Sequence, residues 1–180
     1  MSELDQAWTL AIAEAEERAR AAGRTDISEY LALRKSNDLL RITGCKWLLA
    51  TFEKVAAEAN RVGAGIQISQ DEHHRFKVGT ASMVGSRLSL GKGLRMLFVD
   101  VGWPRAPRDG FIRGGGLASA HIKHRGMKSV NEDLRLVLTP SGAPGWILRG
   151  GKHESPSEIH EANVRKHISI LLDDARIHAS

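Results

Sequence analysis

One change of period constrains this chain more than any other feature. Up to residue 62 the apolar residues recur every three or four positions; beyond Gly63 and Gly65 they recur every second position. The first spacing lays an apolar stripe along a helix, and the second sends alternate side chains to one face of a strand. A chain that makes this switch once, continues through several strands and returns to helical spacing near its C-terminus belongs to the α+β class. The expected architecture is an antiparallel sheet of about six strands with helices packed on one face, N-terminal helices and one long C-terminal helix. Residues 1–62 are the N-terminal helical segment and 63–180 hold the sheet and the C-terminal helix, the whole expected to fold as one compact domain.

The helical stretches carry their own start and stop signals. Ser2 with Asp5 makes a capping box, and Leu4, Trp8, Ala11, Ile12, Ala15, Ala19 and Ala22 share a face up to the stop at Gly23. A second box, Asp26 with Glu29, opens a helix through Tyr30, Leu31 and Leu33. Leu39–Thr43 reads equally as helix or short strand, and a further helix is expected from about Cys45 to Arg61, with Leu48, Phe52, Val55 and Ala59 on its core face. Ser155-Pro156-Ser157-Glu158 has the residues of a helix start, so the last helix is expected to run from there to about Arg176.

Between them the period-two runs define the strands. Ile66 and Ile68 alternate with polar residues, a turn is expected at Gln70–Glu72, and His74, Phe76 and Val78 resume the alternation. A weak strand around Met83 precedes Leu88 and Leu90, and Gly91-Lys92-Gly93 reads as a hairpin turn. Leu97–Val101 is apolar on both faces, as a central covered strand is, with Asp100 breaking the run. Ala118, Ala120 and Ile122 mark a strand on which a helix packs closely, and Leu134, Leu136 and Leu138 mark another before Trp146–Leu148.

The charge gathers where the sheet is expected. Residues 63–150 carry thirteen Lys/Arg against six Asp/Glu, whereas 1–62 carry nine against ten. Most of the excess lies in Val101–Val130, which has six basic residues and one acid, Asp109. There Trp103-Pro104-Arg105-Ala106-Pro107-Arg108-Asp109-Gly110 cannot be regular structure, because two prolines remove backbone donors and Asp-Gly favours a turn. Arg105, Arg108 and Arg113 then precede three glycines, Gly114, Gly115 and Gly116, whose adjacent amides either cradle an anion or bend the chain into the next strand. With Lys123 and Arg125 they form the candidate anion-binding set, and Trp103 and Phe111 are candidates for stacking on bases.

Other chemistries find little support. His160 and His167 are seven apart, and His73/His74 and His121/His124 have odd separations that send each pair to opposite faces of a strand, so no local spacing chelates a metal. There is no GxxxxGK[ST] loop, no strand-borne GxGxxG and no GxSxG elbow. The single cysteine, Cys45, excludes an intrachain disulfide framework. No organic cofactor is implied. For acid–base work the sequence leaves Asp100, Asp109, His121 and His124, of which Asp100 and His121 are the candidates carried forward, with Arg95, Arg113 or His121 as partners for a buried Asp100. No membrane span or signal peptide is recognised, so a cytoplasmic location is expected.

These residues point first to a non-catalytic binding module that presents a basic Arg/Gly loop to an anionic partner, nucleic acid or a phosphorylated ligand. One alternative is a small-molecule enzyme on an anionic substrate with Asp100 and His121 as acid–base groups. Another is an assembly protein that self-associates through its Ala-rich N-terminal helix into a homo-oligomer.

Overall fold

The computed structural model describes residues 3–23, 36–150 and 157–173. Among the described residues three α-helices, α1 (Glu3–Ala21), α2 (Asn37–Arg61) and α3 (Glu161–Leu172), accompany six strands: β1 (Gln67–Val78), β2 (Ala81–Lys92), β3 (Arg95–Trp103), β4 (Ala118–His124), β5 (Glu132–Leu138) and β6 (Pro144–Leu148). The strands form one antiparallel meander in the order β1-β2-β3-β4-β5-β6. The α+β class follows directly from the change of period. The helix expected from Asp26 lies outside the described residues. No helix among the described residues is long and apolar enough to cross a membrane.

One face of the sheet carries the helices. Leu88, Leu90, Leu97, Val99, Val101, Ala118, Ala120, Ile122, Leu134 and Leu136 share a single buried cluster with Leu48, Phe52 and Val55 of α2 and with Val164, Ile168 and Leu171 of α3. The alanines on β4 admit a close helix, and Gly44 of α2 completes the fit. A Cβ on Gly44 would lie 2.6 Å from Leu136, and the Trp146 indole N–H donates to the Gly44 carbonyl at 2.8 Å. The apolar face of α1 is used within the chain, where Trp8 and Ile12 pack on Leu40 and Ala143.

Several boundaries differ from expectation for identifiable reasons. Leu39–Thr43 is helical, so α2 begins at Asn37 rather than near Cys45. The C-terminal helix is short. Ser157–Ile159 instead extend along the edge of β6, with Ile147 bridged to Glu158 and the Ile159 N–H donating to the Trp146 carbonyl. The α3 helix starts only at Glu161, whose N–H donates to Glu3 of α1, while Asn163 accepts the His160 N–H. A backbone paired with a strand cannot also be helical, which displaces the start by several residues.

The expected turn at Gln70–Glu72 is a bulge within one continuous strand. Asp71 pairs with Arg87, yet His74 pairs with Gly85, so β1 spends one residue more than β2 over this span. An extra residue flips every later side chain to the other face. Ile66 and Ile68 therefore lie on the helix side, whereas His74, Phe76 and Val78 lie on the opposite side. The weak strand around Met83 and the one at Leu88 are likewise a single strand. The hairpin that follows turns at Gly93 and Leu94, with Gly93 alone at positive φ (58°), not at Gly91–Gly93.

The bulge lets the tip of the β1–β2 hairpin curl over the helix-free face. The Phe76 ring reaches His121 on β4, with 5.0 Å between centroids. Gly85 and Gly102, directly opposed, form the corner. A Cβ on Gly85 would collide with the Val101 carbonyl and lie 2.7 Å from Gly102 Cα, so no other residue fits the bend.

Candidate functional site

The basic loop between β3 and β4 is braced by its one acid. Asp109 is buried, and its Oδ2 accepts the N–H groups of Arg105 at 3.0 Å and Ala106 at 2.9 Å. Those backbone bonds, with Arg75 at 3.5 Å, hold its carboxyl below the usual carboxylate range. The acid is thus turned inward and spent on the backbone. Arg105, Arg108 and Arg113 are left exposed on the surface of the loop.

The two candidate stacking residues part company. Trp103 is 8% exposed within the main core cluster, and the Arg105 guanidinium lies over its ring at 3.5 Å, so it anchors the loop. Phe111 is 84% exposed, between Arg108 and Arg113. A groove of about 430 Å³ runs beside the loop's first residues, lined by Asp38, Arg41, Ile42, Trp103, Pro104 and Arg105. Only Arg105 of the three arginines lines it.

The glycine run is packed against an arginine side chain. Arg135 of β5 passes beneath it and donates to the Gly114 carbonyl at 2.8 Å. A Cβ on Gly114 would overlap the Arg135 guanidinium, and one on Gly116 would lie 2.5 Å from Arg135 Cγ. Gly114 and Gly116 therefore make room for an arginine chain. Arg125 is also separated from the loop. Its N–H bonds to the Met96 carbonyl at the far end of β3, about 25 Å from Pro104 at about 3.3 Å per residue. Lys123 lies on the same helix-free face as Phe98, which Arg87 and Arg125 flank with guanidinium carbons 4.9 and 5.8 Å from its ring.

That face carries a polar row across the sheet. The register aligns Asp71, Arg87, Asp100, His121 and Asp133 on five consecutive strands. Asp100 is fully buried and takes both Arg87 bonds, Nε to Oδ1 at 2.6 Å and Nη2 to Oδ2 at 2.9 Å. Its partner is Arg87, not Arg95, Arg113 or His121. Arg95 is engaged with the Ile170 carbonyl, and Arg113 is out on the loop. Both Asp100 oxygens are thus engaged by one guanidinium, a bidentate arrangement that fixes the two side chains against each other. His121 is its direct cross-strand neighbour and is 9% exposed; its Nε2 is 3.5 Å from Asp133 Oδ1, and burial lowers its pKa. His74 Nε2 lies 3.4 Å from Asp100 Oδ1 without hydrogen-bond geometry.

A buried relay on the helix side went unnoticed in the sequence. His124 Nε2 and His167 Nδ1 are 3.0 Å apart, and His167 Nε2 is 3.1 Å from Glu132 Oε2. Burial, reinforced by His167, takes the His124 pKa to about 4, while the His167 hydrogen bond lowers that of Glu132. The relay ties α3 to the sheet. The three residues are far apart in sequence and no spacing links them; the one available signal was the odd His121/His124 separation, which sends His124 to the helix side. Cys45 is buried inside α2, with its thiol pKa pushed up to about 12 by burial. Among the described residues no group of three His, Cys, Asp or Glu is placed to hold a metal ion.

No family model, curated protein or solved structure matches this chain.

Proposed function

We propose that this protein is a non-catalytic binding module for single-stranded nucleic acid, engaged through the loop Arg105–Arg113. The observation that carries the reading is Phe111, 84% exposed between two exposed arginines on a loop whose own acid is turned inward. An aromatic side chain held in water has unspent stacking capacity, and every base offers a π-face to it. Arg108 and Arg113 bracket it with charge for the flanking phosphates, and Arg105 stands over Trp103 at the mouth of the groove. Asp109 braces the start of the loop at Arg105 and Ala106, which lowers the ordering cost of that part on binding. The distant Arg125 is not part of this contact.

Binding of a fluorescent single-stranded oligonucleotide across a salt series separates the two contributions. On single strands each neutralised phosphate contributes about −0.7 to the log–log slope. Arg108→Ala with Arg113→Ala is expected to flatten the slope by about 1.4. Phe111→Ala should weaken binding about tenfold and leave the slope unchanged, since stacking is worth roughly 1–3 kcal/mol per base. Duplex bound as tightly as single strand, or full affinity in Phe111→Ala, would defeat the reading.

A further inference from the structure

We infer that the helix-free face holds a second site, in which Ser119, His121 and Arg135 bind a sulfate- or phosphate-sized oxyanion together with one proton. This inference stands apart from the loop and does not rest on nucleic-acid binding.

Among the described residues, four buried side-chain polar atoms have no hydrogen-bond partner: His74 Nε2, Ser119 Oγ, His121 Nδ1 and Arg135 Nε. Buried polar groups are nearly always satisfied, so each such atom calls for an explanation. All four lie on one face. The register places His74, Gly85, Gly102, Ser119 and Arg135 in a single row across five strands, with His121 in the next row. The helix side also buries polar side chains, Thr51, His124 and His167, and each of these has a partner.

The three residues that carry the central atoms are neighbours on the sheet. Ser119 and Arg135 are directly paired, with Cβ atoms about 5 Å apart. Ser119 and His121 stand two apart on one strand, about 7 Å along the same face. Ser119 is 1% exposed. The Phe76 ring lies against His121 with 5.0 Å between centroids and stacks on His74, and Gly114 and Gly116 lie against the Arg135 side chain.

Their chemistry converges on an anion. The serine hydroxyl and the Arg135 Nε–H are donors. His121 Nε2 faces Asp133 Oδ1 at 3.5 Å, so a proton on Nε2 leaves Nδ1 as an acceptor. A second proton turns Nδ1 into a third donor, and Asp133 then stabilises the imidazolium from behind. Without an anion, burial keeps His121 neutral at physiological pH. The proton therefore arrives with the ligand. The other charges facing His121 permit this: Arg87 and Asp100 are spent on each other, Asp71 is at the exposed edge, and Lys123 and Arg149 add positive potential.

The test uses the full chain with Arg105, Arg108 and Arg113 changed to alanine, which removes the loop as a competing anion site. Sulfate, whose charge is constant over this range, is titrated by calorimetry at pH 6, 7 and 8, at constant ionic strength in chloride. One sulfate per chain is expected, with uptake of about one proton and affinity falling about tenfold per pH unit above neutrality. Ser119→Ala should weaken binding about tenfold and keep the pH slope. His121→Gln should abolish the slope. Imidazole ¹⁵N shifts in the unmutated chain should show Nδ1 of His121 becoming protonated on adding sulfate, a readout that survives if a variant fails to fold. No sulfate binding in the loop-deficient chain, binding indifferent to Ser119→Ala or to pH, or an unchanged His121 ring would each overturn the inference.

Discussion

The two faces of the sheet bury histidine in opposite ways. On the helix side, His124 is closed by His167, which is closed in turn by Glu132. On the other side, His121 stands between Asp100 and Asp133 with Nδ1 unpartnered. Burial lowers the pKa of both rings. The difference lies in completeness. A buried polar chain with every partner in place fixes one packing of a helix on a sheet, whereas one with a gap has capacity for something else. The helix side thus holds completed polar contacts, and the buried polar atoms without a partner among the described residues lie on the other face.

The largest expected effect comes at the corner that gives the helix-free face its roof. Gly85→Ala drives a methyl group into the Val101 carbonyl, which as backbone cannot move aside. A loss of about 4 kcal/mol or more is expected in chemical denaturation. A variant of near-normal stability would mean that the hairpin does not curl and that the two faces are less distinct than described.

The next effect is Asp100→Asn. It leaves the Arg87 charge without its carboxylate and should cost about 3 kcal/mol, measured the same way. Replacing both residues with apolar ones of similar size should recover most of that loss. Failure to recover would give the pair a role beyond structure.

The third effect tests the helix side by pH. His124 has a folded pKa of about 4, against an ordinary value of 6.5. Between these values the unfolded chain binds a proton that the folded chain refuses, so stability falls as pH drops below 6.5 and is fully present above it. One such group accounts for about 2 kcal/mol between pH 7 and pH 5. Thermal melts should show this decline, and His124→Gln should flatten it. An unchanged slope would shift the effect to His121 and the other face.

Much of the fold was legible because it rests on local periodicity. The α1 stripe of Leu4, Trp8, Ile12 and Ala15 and the α2 stripe of Leu48, Phe52 and Val55 are buried as their spacing requires. The candidate site was less legible because it depends on register. A turn centred on Lys92 sets Asp100 opposite Val84. The actual turn, between Gly93 and Leu94, slides the pairing by three residues and brings Arg87 there. The bulge after Asp71 had the same effect on β1, since one extra residue decides whether His74 and Phe76 face the helices or roof the polar row. Arg135 escaped notice beside the glycines because it is two strands removed in sequence from the loop it fills. Patterns repeated over many residues survive such slips, whereas a site built from single side chains on five strands does not.

The meander has a consequence for how the chain reaches this state. Every strand pairs with its sequence neighbour, so the sheet can be assembled by a succession of short loop closures, each cheap in entropy. The helices at the two ends bear the long-range burden. The hydrogen bond from the Glu161 amide to Glu3 joins residues 158 apart and marks where the starts of α1 and α3 meet. The contacts between α1 and α3 therefore close the longest loop in the fold and carry its largest closure entropy.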